Sequence, residues 1–569
     1  MATDTFRPAL AFRVGVTGHR DLDEKTCDDL RPRVHAKLEQ IKRLVEQVAS
    51  ESKEIYDNHA AVILRAISPL AEGADRLFAE EALTLQYQLE APLPFDYHEY
   101  RNDFQTVASK RRFDELLKKA GAVFELDGSR QDAPAAYATL GSLVLDQCDI
   151  LIAVWDGQAA KGAGGTAEVV ARARLRGIPV LCLHPHSHDR DTIYADATED
   201  AGRVTSDRLD AALKDTVWQL LLPSGTLGPP GSLNSTERLL APLLVWVWRT
   251  FERIITVGVK RRPARSAGAP PPSVALDSFQ RQFALWDTAA NLLAGLYRGA
   301  FLLNYTLGVL AVFLALLGNA FGGLYWLPIC ESIAILIVIS LVSLLRERRW
   351  HLRIADCRYL AEQFRILCYS YPLGLAPRTP HLPAHYLPAG FRDSWVEWHA
   401  RAIVRQTPMP TATVTPAYVE EHCKAIRKWI RGQIEYHKRN AAKLEKIEHR
   451  LYFLCWLSIA FALVAALLAW ICHGFVEEYG LERWLLFLTA GLPAASAAAH
   501  AVSTQGEFNR LVERSESMTE RLRSSLGGLH HQGQPMATLR RQTDELAQVL
   551  MDEVADWQIL YRKPAPPPG

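Results

Sequence analysis

No charge of either sign dominates this chain: 64 basic residues stand against 63 acidic ones. A near-neutral polypeptide has no global field to draw in nucleic acid, so no nucleic-acid partner is expected. The nine cysteines are scattered, with no CxxC pair and no Cys/His ligand spacing. That pattern fits reduced cytosolic thiols better than a disulfide framework. No Walker loop, HExxH pair or GxSxG turn occurs, which removes three common catalytic classes. Residues 1–10 lack the charged head and apolar core of a signal peptide, and a strand pattern is expected to begin at once.

What is abundant is apolar sequence in four long runs, at 300–318, 324–345, 451–472 and 484–502. Each has roughly the 20 residues a helix needs to cross a hydrocarbon core. The fourth is alanine-rich and interrupted by Pro493. No Lys or Arg lies between the first two runs, at 319–323. Arg346, Arg348, Arg349 and Arg353 follow the second, and Lys438, Arg439, Lys443, Lys446 and Arg450 precede the third. Glu477, Glu478 and Glu482 outnumber Arg483 between the third and fourth. The positive-inside rule then places both hairpin turns outside, and both termini and the middle segment in the cytoplasm. The strongly polar residues singled out within the runs are Asn304, His500 and Glu331, the last expected two turns into the second span. Ala490, Ala494 and Ala498 repeat at a spacing that lets helices approach closely.

The first 220 or so residues alternate short apolar runs (12–17, 61–68, 122–126, 149–155, 179–183) with helical patterns such as 25–51 and 76–86. This predicts an α/β Rossmann-like, doubly wound parallel sheet, joined to an all-α transmembrane domain with four spans. The division expected is 1–258 for the α/β domain, 259–277 for a Pro/Arg-rich flexible linker, and 278–569 for the helical membrane domain. Within the first part, 239–259 is too interrupted by charge to span. It reads as a packing helix or, alternatively, as an interfacial helix on the membrane. The membrane half looks like a loose repeat of cytosolic helix, hairpin and cytosolic helix. A loop is expected at 371–391, a last helix at 542–561 and a disordered tail at 564–569.

Three segments converge if the sheet forms. Gly15, Thr17, Gly18, His19 and Arg20 end the first strand; Glu72, Gly73 and Asp75 open a helix after the second; Gly164, Gly165, Thr166 and Glu168 follow ILIAVWDG and open another. Glycines and helix N-termini suit phosphate, Thr17 and Thr166 can donate to it, Arg20 can pair with it, and Asp75 and Glu168 can accept from ribose hydroxyls. His184, His186 and His188 alternate after a strand; a solvated loop is the reading preferred over a metal site, and no metal is expected.

VTGHR, the EGAD turn, LPFDYHEYRNDF, and CDILIAVWDG followed by GGTAE together resemble the SLOG superfamily of DprA-like and LOG-like Rossmannoid domains over roughly residues 10–190. The second half resembles the SLATT (SMODS and SLOG-associating transmembrane) effectors, with RYLAEQFRIL as the best local match. The resemblance implies an antiphage effector of the bacterial inner membrane, homo-oligomeric. In it a nucleotide-derived second messenger (ADP-ribose-like or a cyclic nucleotide) would bind the first domain and trigger permeabilisation by the second. No other cofactor is implied. The LOG-type catalytic loop PGGxGTxxE is not matched by GAGGTAE, so catalysis is not the favoured reading. The alternative is a membrane-anchored nucleotide N-glycosidase or phosphoribohydrolase with Glu168 as catalyst. A ligand-gated channel or transporter is a third.

Overall fold

The computed structural model describes residues 7–158, 164–195, 203–205, 208–223, 231–257, 274–320, 325–377, 395–471, 482–529 and 533–562. Most of the expected linker, most of the 371–391 loop, the hairpin turns, Gly162, Ala163 and the tail lie outside the described residues.

Six strands run parallel: β1 (Ala11–Gly18), β2 (Ile63–Ile67), β3 (Gln88–Leu93), β4 (Ala122–Glu125), β5 (Ile150–Val154) and β6 (Val180–Leu183). Between them come α1 (Glu24–Glu51), α2 (Ala74–Thr84), the short α3 (Tyr97–Arg101), α4 (Val107–Lys119), α5 (Ala133–Gln147) and α6 (Thr166–Leu175). Local chemistry explains the elements. Asp23 caps α1 by accepting from Thr26 N at 2.7 Å, and Leu30, Val34, Leu38, Ile41, Val45 and Val48 form its buried stripe. On β5, Ile150, Ile152 and Val154 join the core beneath α1 and α2, while Leu151 and Ala153 join the core beneath α6. Both faces are covered, which is why these strands are apolar throughout.

The sheet is mixed, a correction to the all-parallel expectation. Its order is β8-β7-β6-β5-β1-β2-β3-β4-β9. β7 (Thr192–Tyr194) and β8 (Arg203–Thr205) pair antiparallel and lead to α7 (Leu209–Leu221). Only 184–191 separate β6 from β7, fewer than the dozen or so residues a parallel crossover needs. β9 (Ala412–Thr413) arrives from the helical half and pairs parallel to β4.

The second half is built from α8 (Ser235–Ile255), α9 (Val274–Ala320), α10 (Leu327–Arg348), α11 (Trp350–Ser370), α12 (Trp395–Gln406), α13 (Pro416–Ile471), α14 (Glu482–Gly506), α15 (Phe508–Gly528) and α16 (Met536–Arg562). α9 starts at Val274, inside the expected 259–277 linker, and α16 starts at Met536 rather than 542. α14 runs through Pro493 without a break. α9, α10, α13 and the α14 segment are long and apolar enough to cross a membrane. The expected repeat of layout is visible in the packing. A long helix runs out (α9, α13), a second returns (α10, α14), and a helix of 21 residues (α11, α15) folds back along the first. Both returns turn on one left-handed non-glycine residue, Arg349 at φ 45° and Glu507 at φ 49°.

Such a backbone costs an L-residue roughly 1–2 kcal/mol, which glycine avoids. Glu507→Gly is therefore expected to raise the melting temperature of the detergent-solubilised chain. Its exposed pairing with Arg510 contributes little against that gain. A lowered melting temperature would contradict a strained hinge.

Along the four apolar segments α10 packs on α9, α9 on α14, and α14 on α13. A Cβ on Gly491 of α14 would meet Phe313 of α9 at 2.5 Å, and Ser496 Oγ donates to Cys455 O of α13 at 3.2 Å. Among the described residues α10 and α13 do not pack along each other, so the four helices stand in an open row rather than a closed bundle.

The two halves share one core. Phe124 and Leu126 near β4, and Leu140 and Leu143 of α5, cluster with Trp286 of α9, Leu360 of α11, Trp429 of α13 and Leu546 of α16. At the opposite end of the sheet from its glycine turns, buried Arg13 donates to the carbonyl oxygens of Arg405 (3.2 Å), Val404 (2.7 Å) and Thr407, to Gln147 Oε1 (2.8 Å) and to the Tyr371 hydroxyl (3.1 Å). Arg65 pairs with Glu90 at 2.6 Å, and Arg405 with Asp149 at 2.6 Å.

Candidate functional site

The strand order reverses between β1 and β5: the chain steps outward from β1 to β4, then returns to the other side of β1. Crevices in open α/β sheets form at this point, beyond the carboxyl ends of the strands. Here the crevice is a cavity of about 410 Å³, within the range of small-molecule sites.

Eight of the twelve residues expected to bind ligand line it: Thr17, Gly18, His19, Arg20, Asp75, Gly164, Gly165 and Thr166. The other four are placed elsewhere. Gly15 lies on β1 against Cys148 and Val144. Glu72 turns toward α4, where it accepts from the Ser109 hydroxyl. Gly73 has φ 76°, and a Cβ there would meet His19 O at 2.4 Å. Its absence of side chain lets Ala74 N donate to His19 O at 3.1 Å, so the turn seats the loop after β1. Glu168 accepts from Gly164 N at 2.6 Å and pairs with Arg172. Its carboxylate ties down its own loop, an arrangement that disfavours it as a free acid catalyst.

Two kinds of recognition meet in the cavity. At the start of α6, Glu168 N and Val169 N both bond to Gly165 O. The N–H groups of Thr166 and Ala167 have no partner among the described residues and open an anion-accepting helix N-terminus. Gly164 at φ 81° brings the loop against Tyr137, where a Cβ would stand 2.8 Å from Tyr137 Cβ. Opposite, the Arg20 guanidinium lies 4.6 Å over the Tyr137 ring and 3.7 Å from Asp103. Tyr137 and Arg130 also bond to Asp103, which holds this group in place. His19 Nε2 stands 3.4 Å from Asp156. Burial raises the Asp75 carboxyl to about 7, against the opposing pull of Arg20. Around neutral pH Asp75 therefore exchanges between donor and acceptor, suited to a hydroxyl partner.

Tyr100, Tyr137, Trp155, Asp156 and Gln158 also line the cavity and were not singled out from sequence. Trp155 and Asp156 directly follow β5, so the strand end itself was the available signal. Tyr137 carried none, because α5 reads as a plain apolar helix.

His184 Nδ1 accepts from His186 N at 3.2 Å, which occupies one ring nitrogen of that triplet. Among the described residues no group of three or more His, Cys, Asp or Glu converges as metal ligands would.

The membrane residues do not form one cluster. Glu331 sits about one turn into α10, near its amino end, rather than two turns deep, because the helix starts at Leu327 and not 324. Asn304 lies near the other end of its span on α9, half-buried, with its Oδ1 unpaired. His500 lies near that same end on α14, on an exposed face.

No family model matches the chain, and no curated protein matches it.

Proposed function

We propose that this chain is a ligand-responsive membrane effector. A nucleotide-derived signal, ADP-ribose-like or a cyclic nucleotide, binds the crevice and changes the packing of the spans until the bilayer leaks. The observation that carries the reading is the position of α5. Tyr137, Leu140, Gly141 and Val144 line the crevice on one side of that helix. Leu140 and Leu143 enter the core of the membrane half. A Cβ on Gly374 would meet Leu143 Cδ1 at 2.3 Å, Gln147 donates to Gly374 O at 3.1 Å, and Asp146 pairs with Arg540 at 2.7 Å. A ligand that moves α5 thus acts on the segment after α11 and on α16, which share one core with the parts of α9 and α13 that lead into the apolar runs, and its differential affinity for two packings sets the balance between them.

The setting proposed is antiphage defence at a bacterial inner membrane, with both termini cytoplasmic and several copies acting together. The anchored-hydrolase alternative is less favoured, since Glu168 is engaged by Gly164 and Arg172.

Cells expressing the chain alone are expected to grow normally. Raising a candidate nucleotide inside them is expected to depolarise the membrane within minutes, read with a potential-sensitive dye. Unchanged potential with ligand demonstrably bound would end the effector reading.

A further inference from the structure

α8 leaves one face uncovered. Leu244, Trp248 and Ile255 are buried, and a Cβ on Gly299 would meet Leu244 O at 1.9 Å, so the helix is pressed flat on α9. The opposite face exposes Trp246 (62%), Ile254 (66%) and Val257 (62%) beside exposed Arg249 and Arg253.

The height of this face relative to the membrane follows from its contacts. Arg450, the last residue before the third apolar run, donates to the carbonyl oxygens of Ile255 at 2.6 Å and Val257 at 2.8 Å. Ile255 clusters with Phe301 and Leu302 at the start of the first run, and with Val502 at the end of the fourth. The carboxyl end of α8 therefore lies level with the membrane edge of three spans. Arg253 and Arg249 sit about half a turn and under two turns above it, where lipid phosphates would be.

Along the flank of α8, reaching Leu292 of α9, runs a groove of about 530 Å³, lined by Arg238, Trp246, Arg249 and Arg253 among others, and by no carboxylate. The nearby acid Glu252 is neutralised by Lys443. A groove with two guanidiniums at its membrane end, an indole and apolar walls is complementary to an anionic head on an apolar tail.

We propose that this groove binds the headgroup of an anionic phospholipid from the leaflet facing the α/β half. Arg249 and Arg253 hold the phosphodiester, and Ile254 and Val257 rest against the acyl chains.

The test uses the full-length chain in detergent, titrated with phosphatidylglycerol or phosphatidylcholine, with bound lipid counted by native mass spectrometry. Phosphatidylglycerol is expected to be retained preferentially. Each basic residue near an anionic surface contributes roughly a factor of five, so Arg249→Gln with Arg253→Gln is expected to weaken retention roughly thirtyfold. Both side chains are exposed, so the melting temperature is expected to hold. Arg541→Gln, an exposed arginine on α16, is expected to change nothing. Soluble glycerol 3-phosphate at matching concentration is expected not to displace the lipid. Three outcomes overturn the proposal: equal retention by the double variant, displacement by glycerol 3-phosphate, or a lipid-free dimer that persists in wild type and excludes phosphatidylglycerol.

Discussion

Arg13→Met is expected to destabilise the chain by about 3–5 kcal/mol. Methionine fills similar space but supplies none of the donors that now satisfy three carbonyl oxygens, Gln147 and Tyr371. Arg13 is 2% exposed, so water cannot replace them. It also withdraws a positive charge from beside buried Glu90 and from Asp149, leaving two arginines to balance them. Arg13→Lys is expected to recover little, because one ammonium cannot reproduce the planar fork. Thermal unfolding with limited proteolysis checks this, and cleavage should appear first near residues 404–409, which Arg13 holds against the sheet. Wild-type melting and cleavage in the methionine variant would mean that the network does not join the halves.

Gly165→Asp is expected to lower affinity for an anionic ligand by several kcal/mol, roughly a hundredfold or more in Kd. The substitution separates binding from folding. Gly165 is the N-cap of α6, at φ −75°, and has no side-chain cap. Aspartate there suits the helix, so stability should hold or rise. The same carboxylate faces the unpaired N–H groups of Thr166 and Ala167, where a phosphate would lie. Gly165→Asn caps without charge and is expected to keep much of the affinity. Calorimetry with ADP-ribose and cyclic nucleotides against all three proteins reads this out. Equal binding by the aspartate variant would remove the α6 terminus from the site.

Much of the α/β half was legible because its strands are buried on both faces and carry almost unbroken apolar runs. The spans were legible for the same reason. What sequence could not show was long-range pairing. β9 is two residues long and carries no pattern of its own; its place depends on β4. The expected separation into two domains by a linker gave no sign that Leu143 and Trp429 belong to one core. In the site, the glycine turns were visible but their jobs were not. Gly73 seats a neighbouring loop, and Glu168 fastens its own, roles set by contacts across the crevice rather than by spacing. Glu331 was legible as a carboxylate in an apolar run, yet its depth depended on where α10 begins.

The late arrival of β9 has a consequence for biosynthesis. Thr413 bonds to Glu125 across 288 residues of chain. At typical elongation rates the edge of β4 waits roughly 15–60 s for its partner. Within that interval the first membrane hairpin must leave the ribosome, and only afterwards do α12 and β9 emerge to cover the sheet. Until then the edge and the ends of buried Arg13 and Glu90 face water. The α/β half therefore cannot finish folding ahead of insertion. A chain whose first hairpin misses the bilayer keeps an open sheet edge of the kind that aggregates or is degraded, so quality control of the α/β half is built into the order in which its pieces are made.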